Sequence, residues 1–291
     1  MKNKIIKLFK TLKNGSFKDS YPLLGERYGI GLIERTICIN WFNPFATLWL
    51  NIRSFPFKQA IRFPIWCYGR PKFYGLTGKM IVEGKVTSGM IRFNQVMDEA
   101  PSNMGIQTEL LNKGLIIFRG KGLIGTGNKI VVGHKATLDI GGHFKITDMC
   151  NIGCYKKIII GEQTWIVHRC QVLDTNYHFV ANIVKGIVPH YSRPINIGIG
   201  CWICNSSTVS GGAVLPNHTI VASNSLVGKD FSDIPENSMI GGIPAKLIAT
   251  GFRRVYNSNL ESEIIKFYKT NPNGTYNLPE SIVIDEITRI V

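Results

Sequence analysis

The sequence predicts an all-β solenoid of short strands stacked in triangular coils, three strands to a coil. Three observations lead there. From Ile197 an aliphatic residue returns at every sixth place: Ile197, Ile203, Val209, Leu215, Val221 and Val227. The fifth place of each block is small: Cys201, Ser207, Ala213, Thr219 and Ser225. Finally, this period is foreign to a helix, which repeats at about 3.6, and to an isolated strand, which repeats at about 2. A fixed short period is the mark of stacked coils. One inward side chain per face would build a triangular core. The small fifth residue would sit where the chain bends and a large side chain would clash.

Composition bounds the rest. The chain has 291 residues, enough for one large repeat domain with extensions, and 44% hydrophobic residues support a packed core. A net charge of +15 and a pI near 9.6 point to a polyanionic partner or an anionic surface. Nucleic acid is set aside, because the cations are spread along the chain and no recognition motif is present. Seven cysteines, an odd number, and no secretory signal predict free thiols in a cytoplasmic protein. No stretch of about 20 residues lacks charge, so no transmembrane helix is expected. The closest candidate, Thr36–Ile52, carries Asn40, Asn43, Pro44 and Asn51.

Taken in order, residues 1–74 read as a basic, aromatic capping extension. Within it, residues 1–13 can form a basic amphipathic helix with Ile5, Ile6, Phe9 and Leu12 on one face. Two readings stand for it: a terminal helix lying on the protein, or weak peripheral docking on an anionic membrane. Residues 28–74, interrupted by Pro44, Pro56, Pro64 and Pro71, predict short helices and turns covering the solenoid's open edge. The solenoid is expected over residues 75–250. Lys79–Val86 and Met90–Phe93 alternate as strands, and residues 94–114 read as an irregular insertion. A second register runs Val132, Leu138, Phe144, Cys150, with fifth places Ala136, Gly142, Asp148 and Cys154. It breaks at Lys156–Ile159 and resumes at Ile160, Ile166 and Val172. Residues 177–196 then form a long interruption with Pro189 and Pro194, and long connections in compact folds are often functional. Residues 251–291 read as a helical tail, with a helix over Tyr256–Lys269 and a strand at Ser281–Ile284.

These features together resemble one family. The hexads, Asp174-x-x-x-His178, the protruding loop, Gly200-Cys-Trp202-Ile and the closing Gly241-Gly-Ile-Pro-Ala-Lys246 are similar to the hexapeptide-repeat acyltransferases. The nearest likeness is to sugar O-acetyltransferases of surface-polysaccharide synthesis. It covers roughly residues 120–250 and leaves the first 75 unexplained. The resemblance implies a left-handed parallel β-helix, which general crossover rules would not predict. It also implies a homotrimer with sites between subunits, and acetyl-CoA as acyl donor without a metal.

The resemblance places the chemistry at the interruption. His178 would act as general base, taking the proton from an acceptor hydroxyl as its oxygen attacks the thioester. A backbone N–H would stabilise the tetrahedral oxyanion. Asp174 would orient His178 or hold the acceptor; the alternative is a turn-forming Asp. Asn151, Asn176 and His190 are weaker candidates. Trp202, 24 residues after His178 as in the similar transferases, would lie along the acyl-CoA arm, with Asn205, Ala222 and Ser223 on adjacent coils. Lys229, Lys246, Arg253 and Arg254 would face the nucleotide phosphates. One departure is Cys204, where the family pattern has Gly after Trp-Ile.

Other classes fit less well. Cys201-x-x-Cys204 has redox or zinc spacing, but the hexad count turns Cys201 inward, where a free thiol behaves as a small hydrophobe. The paired-histidine spacing of a β-helical zinc carbonic anhydrase is absent, as is the nucleotide-binding domain of a nucleotidyltransferase. The expectation is therefore an acetyl-CoA-dependent O-acetyltransferase acting on a sugar of a glycan or lipid-linked precursor, cytoplasmic or peripheral at the inner membrane face. N-acetyl transfer to an amino sugar and a catalytically silent scaffold are the alternatives.

Overall fold

The computed structural model describes residues 41–96, 106–279 and 282–288. Its strands form three sheets that the chain visits in rotation. The first sheet contains β1 (Ile65–Cys67), β4 (Ile91–Phe93), β7 (Gly122–Ile124), β10 (Phe144–Ile146), β13 (Trp165–Ile166), β16 (Trp202–Ile203), β19 (Ile220–Val221), β21 (Ser238–Gly242) and β22 (Ala245–Thr250). The second contains β2 (Lys72–Tyr74), β5 (Glu109–Asn112), β8 (Lys129–Val132), β11 (Asn151–Cys154), β14 (Gln171–Leu173), β17 (Thr208–Ser210) and β20 (Leu226–Val227). The third contains β3 (Lys79–Val82), β6 (Leu115–Phe118), β9 (Thr137–Ile140), β12 (Lys157–Ile160), β15 (Ile195–Ile197) and β18 (Val214–Leu215). From β1 to β17 each strand pairs in parallel with the one three places on, as Trp165 with Trp202 and Ile152 with Val172, and β19 pairs in parallel with β21. Only β21 and β22 are antiparallel among the described strands. This is the expected left-handed parallel β-helix.

The hexad logic is visible at the corners. Gln163, Arg169, Ser206, His218 and Asn224 have φ of 58°, 60°, 59°, 57° and 58°. Each turns the chain through the left-handed region, and the next residue points inward: Thr164, Cys170, Ser207, Thr219 and Ser225, all buried. The small fifth place therefore follows the turn residue, where space is least. The aliphatic column Ile197, Ile203, Val209, Leu215, Val221 and Val227 is at most 2% exposed.

Several expectations are corrected. The coils begin at Ile65, not Gly75: β1 and β2 are laddered to β4 and β5. The stretch 94–114 holds β5, a regular strand. The register counted from Val132 slips by two at β9, which is four residues long. His143 and Met149 are the left-handed corners there. Phe144 and Cys150 thus take the post-turn place, and Ile146 and Ile152 the aliphatic one. The interruption ends sooner, because β15 takes Ile195 and Asn196. Ile284 starts a helix rather than ending a strand. The helix expected over residues 1–13, and Cys38, lie outside the described residues.

Helix α1 (Pro44–Ser54) and the single turn α2 (Phe57–Ala60) cover the first coil. Asn43 caps α1 by accepting from Ala46 N at 2.9 Å, and Pro44 occupies the first turn, where no N–H is missed. Helix α3 (Ser258–Thr270) is capped by Asn257, and α4 (Ile284–Thr288) follows. Of the stripe Leu260, Ile264, Ile265 and Tyr268 expected on α3, only Leu260 is buried.

Candidate active site

The corner between the second and third sheets carries the protruding arm. Asp174, directly after β14, is fully buried. Its carboxylate accepts three backbone N–H groups: Tyr155 at 2.7 Å, Lys156 at 2.7 Å and Lys157 at 2.8 Å. These are the donors of the corner one coil below, which would otherwise be unpaired. Burial pushes the Asp174 carboxyl above the usual carboxylate range, against the lowering pull of those donors. No hydrogen bond joins Asp174 to His178. The expected orienting role is corrected: this carboxylate stitches two coils and fixes the root of the arm.

The arm itself leaves as an antiparallel neck. Asn176 N donates to Tyr191 O at 3.0 Å, and Arg193 N donates to Asp174 O at 2.8 Å. Thr175 faces Ser192, and further out Asn182 faces Ile187. Aromatic contacts stiffen the neck: Tyr155 with Tyr177 at 5.2 Å and Phe179 with Tyr191 at 5.1 Å. His178 projects from this arm, exposed, and its ring makes no hydrogen bond to any described residue. His190, by contrast, is held: its Nδ1 lies 3.0 Å from Ser192 O, and the ring stacks on Tyr191. Asn151 Oδ1, on the outer face of β11, is buried without a partner.

The first sheet lies across the prism from that corner. There Trp165 and Trp202 stack in register. The tail crosses over them. The Arg254 guanidinium sits 3.6 Å from the Trp165 ring, 4.8 Å from Trp202 and 4.6 Å from Tyr256. Lys145 Nζ lies 3.7 Å from the Trp165 ring. Tyr256 reaches Cys201 O at 3.4 Å, and burial pushes its hydroxyl up to about 12. Trp202 is therefore covered in part by its own chain rather than left open for a cofactor arm. Trp165 was missed in the sequence, although it precedes Ile166 just as Trp202 precedes Ile203. The hexad column could have found it.

The remaining expected donor contacts divide. Asn205 and Ser223 are exposed and Ala222 is half-buried, on successive turns of the corner between the first and second sheets. Asn224 N donates to Asn205 O at 3.0 Å. Lys229 and Lys246 are exposed. Arg253 is not available for phosphate. Its Nε donates to Asn237 Oδ1 at 2.6 Å and its Nη1 to Asp285 Oδ1 at 3.0 Å, tying the tail to α4. Cys201 and Cys204 do not form a pair. Cys201 is buried, with Sγ 3.2 Å from Pro216 O and its thiol pushed to about 12, whereas Cys204 faces out. No metal-holding cluster occurs among the described residues.

An open groove of about 400 Å³ runs along the outer face of the third sheet. It is lined by Ile159, Gly161, Asn196, Gly198, Val214 and Asn217. The strand that receives the arm, β15, supplies its middle. Nothing in the sequence pointed to it, because its lining comes from separate coils that only the fold brings together.

Hexads, three-sided coils and a protruding arm define a hexapeptide-repeat β-helix. No family model matches the chain. Over 145 residues it is 26% identical to WbbJ of Escherichia coli (strain K12), a curated relative named for O-acetyl transfer in lipopolysaccharide biosynthesis. That match spans 47% of this chain and 72% of the relative. Looser likenesses link it to solved structures. One is the polysialic-acid-specific acetyltransferase NeuO, at 19% identity and TM-score 0.40, over 71% of this chain and 84% of that one. Another is the N-acyltransferase AntD of Bacillus cereus with a dideoxy amino sugar nucleotide and coenzyme A. It matches at 13% identity and TM-score 0.40, over 70% of this chain and 88% of that one.

Proposed function

We propose that this protein is an acetyl-CoA-dependent O-acetyltransferase acting on a sugar hydroxyl of a glycan or glycan precursor. The observation that carries the reading is the arm. It projects a histidine with free ring nitrogens from a root fixed by a buried carboxylate, on a chain similar in sequence to an O-acetyltransferase. His178 takes the acceptor hydroxyl's proton as the oxygen attacks the thioester carbon. The tetrahedral intermediate collapses with loss of the CoA thiolate, which recovers the proton through the same imidazole. Asn205, Ala222, Ser223, Lys229 and Lys246 form the donor wall. Asn205, Ala222 and Ser223 lie at the corner between the first and second sheets, whereas the arm, like Lys229, leaves from the corner between the second and third, which favours a homotrimer in which one copy's arm meets the next copy's wall. The third-sheet groove supports a second placement of the donor, with the pantetheine lying on bare backbone at Gly161 and Gly198. Residues 1–13 supply a weak peripheral membrane contact.

The test is His178→Ala. Acetyl transfer from labelled acetyl-CoA to a panel of glycan precursors is expected to fall by about 10²–10⁴-fold. The melting curve and its upward shift on adding CoA stay unchanged. Equal transfer by both proteins would remove His178 from this role. No thermal shift with CoA would favour the silent scaffold instead.

A further inference from the structure

Helix α1 is built inside out. Its inner face is Thr47, Leu50, Asn51 and Ser54, all at most 4% exposed, and three of the four are polar. Its outer face is Phe45, Leu48, Trp49 and Ile52, exposed by 81%, 47%, 59% and 61%, and wholly apolar. Both sets follow helical spacing, so each forms one stripe. The inner polarity has a structural cause. β1 is the first strand of its sheet and has an unpaired edge. Asn51 Nδ2 donates to Ile65 O at 2.7 Å, Ile65 N donates to Asn51 Oδ1 at 3.1 Å, and Cys67 N donates to Thr47 Oγ1 at 2.9 Å. The helix thus blunts the edge with its polar side. That leaves the apolar stripe to water, which the edge-capping task does not require. Phe57, 79% exposed, and Ile61, 54% exposed, extend it through α2.

The chain segment that carries this stripe is basic, with Glu83 just beyond it and Glu109 paired to Lys72 at 3.2 Å. Residues 41–82 contain Arg53, Lys58, Arg62, Arg70, Lys72 and Lys79 and no Asp or Glu. Exposed aromatics on a segment rich in cations match an anionic lipid interface, where rings enter the headgroup layer and cations meet phosphates. At 11 residues, α1 is too short to cross a bilayer of about 30 Å and suits lying in its plane. We propose that the outer face of α1 and α2 docks this protein onto an anionic lipid surface. This inference stands apart from any contact made by residues 1–13 and from the transferase reading.

The experiment is co-sedimentation of the full chain with vesicles of phosphatidylcholine alone or mixed with phosphatidylglycerol. Wild type is expected on the mixed vesicles, more weakly at high salt. Trp49→Glu and Phe45→Glu are each expected to weaken binding by at least about tenfold, with unchanged melting temperature and unchanged acetyl transfer to a soluble acceptor. Equal vesicle binding by wild type and both variants overturns the proposal. So does binding lost only on Lys2, Lys4 and Lys7→Glu, which would assign docking to the N-terminal segment. Two other outcomes overturn it as well. A fall in melting temperature without lipid would mean that the chain itself covers the face. A smaller oligomer by light scattering in either variant would mean that a second copy covers it.

Discussion

Asp174 shows how a residue's chemistry and its position can point different ways. Four residues before an exposed histidine, a carboxylate reads as its partner, but the fold turns this one to three backbone donors of the coil below. Asp174→Ala would leave those part-buried donors without their shared acceptor. The expected loss is at least about 2 kcal/mol in urea unfolding, whereas His178→Ala leaves that curve in place. The pattern Asp-Thr-Asn was legible as a turn, but the sequence could not say which coil's donors it would serve. His218 makes a second prediction. Burial first, then the charge of Arg253, hold its imidazole below the usual range. The folded protein therefore resists a proton that the unfolded chain accepts, and stability present above about pH 6.5 is lost as pH falls below it. His218→Asn, which tolerates the left-handed corner, should flatten that acid limb in melting temperatures taken at about pH 7.5 and about pH 5.5.

At the scale of the element, the corners decide what the sequence reveals. From Ile197 onward each corner is a left-handed residue followed by a small one, so the hexad reads cleanly. In the early coils Asn and Thr do that work through hydrogen bonds. Asn128 Nδ2 donates to Thr147 O at 2.7 Å while its Oδ1 accepts from Cys150 N at 2.8 Å, and Thr108 Oγ1 donates to Gly125 O at 2.7 Å. These coils mix three- and four-residue strands and keep no strict period, which hid β1, β2 and β5. Short helices were expected within residues 28–74, but not the orientation of α1, because a stripe of apolar residues ordinarily marks the buried side. Close approach at one corner yields a further test. A Cβ on Gly161 would stand 2.3 Å from the Gly198 carbonyl oxygen, on backbone that cannot step aside. Gly161→Ala is expected to cost about 1–3 kcal/mol of stability by thermal or urea unfolding.

For the whole molecule, the prism's geometry separates the proposed base from the proposed donor wall. The proposed site therefore draws on two chains. Mixing makes that testable: His178→Ala and Ser223→Trp chains, each inactive alone, should regain transfer when co-expressed, because some interfaces then pair an intact arm with an intact wall. Absence of any recovery would confine the site to one chain. This division was not legible in the sequence, which orders residues along the chain but not around a prism. The groove on the third sheet was equally hidden, since its lining comes from separate coils.

The arm leaves the solenoid without disturbing it. β12 pairs with β15 and β14 with β17 as though the residues between Leu173 and Ile195 were absent, while Gly211–Ala213 make the same crossing from β17 to β18 in three residues. The coil register therefore places no demand on the arm's length or content beyond the clasp at Asp174. The arm can drift, lengthen or be exchanged between such proteins without renegotiating the core. The fold works as a chassis, and its working tool hangs from a single bracket.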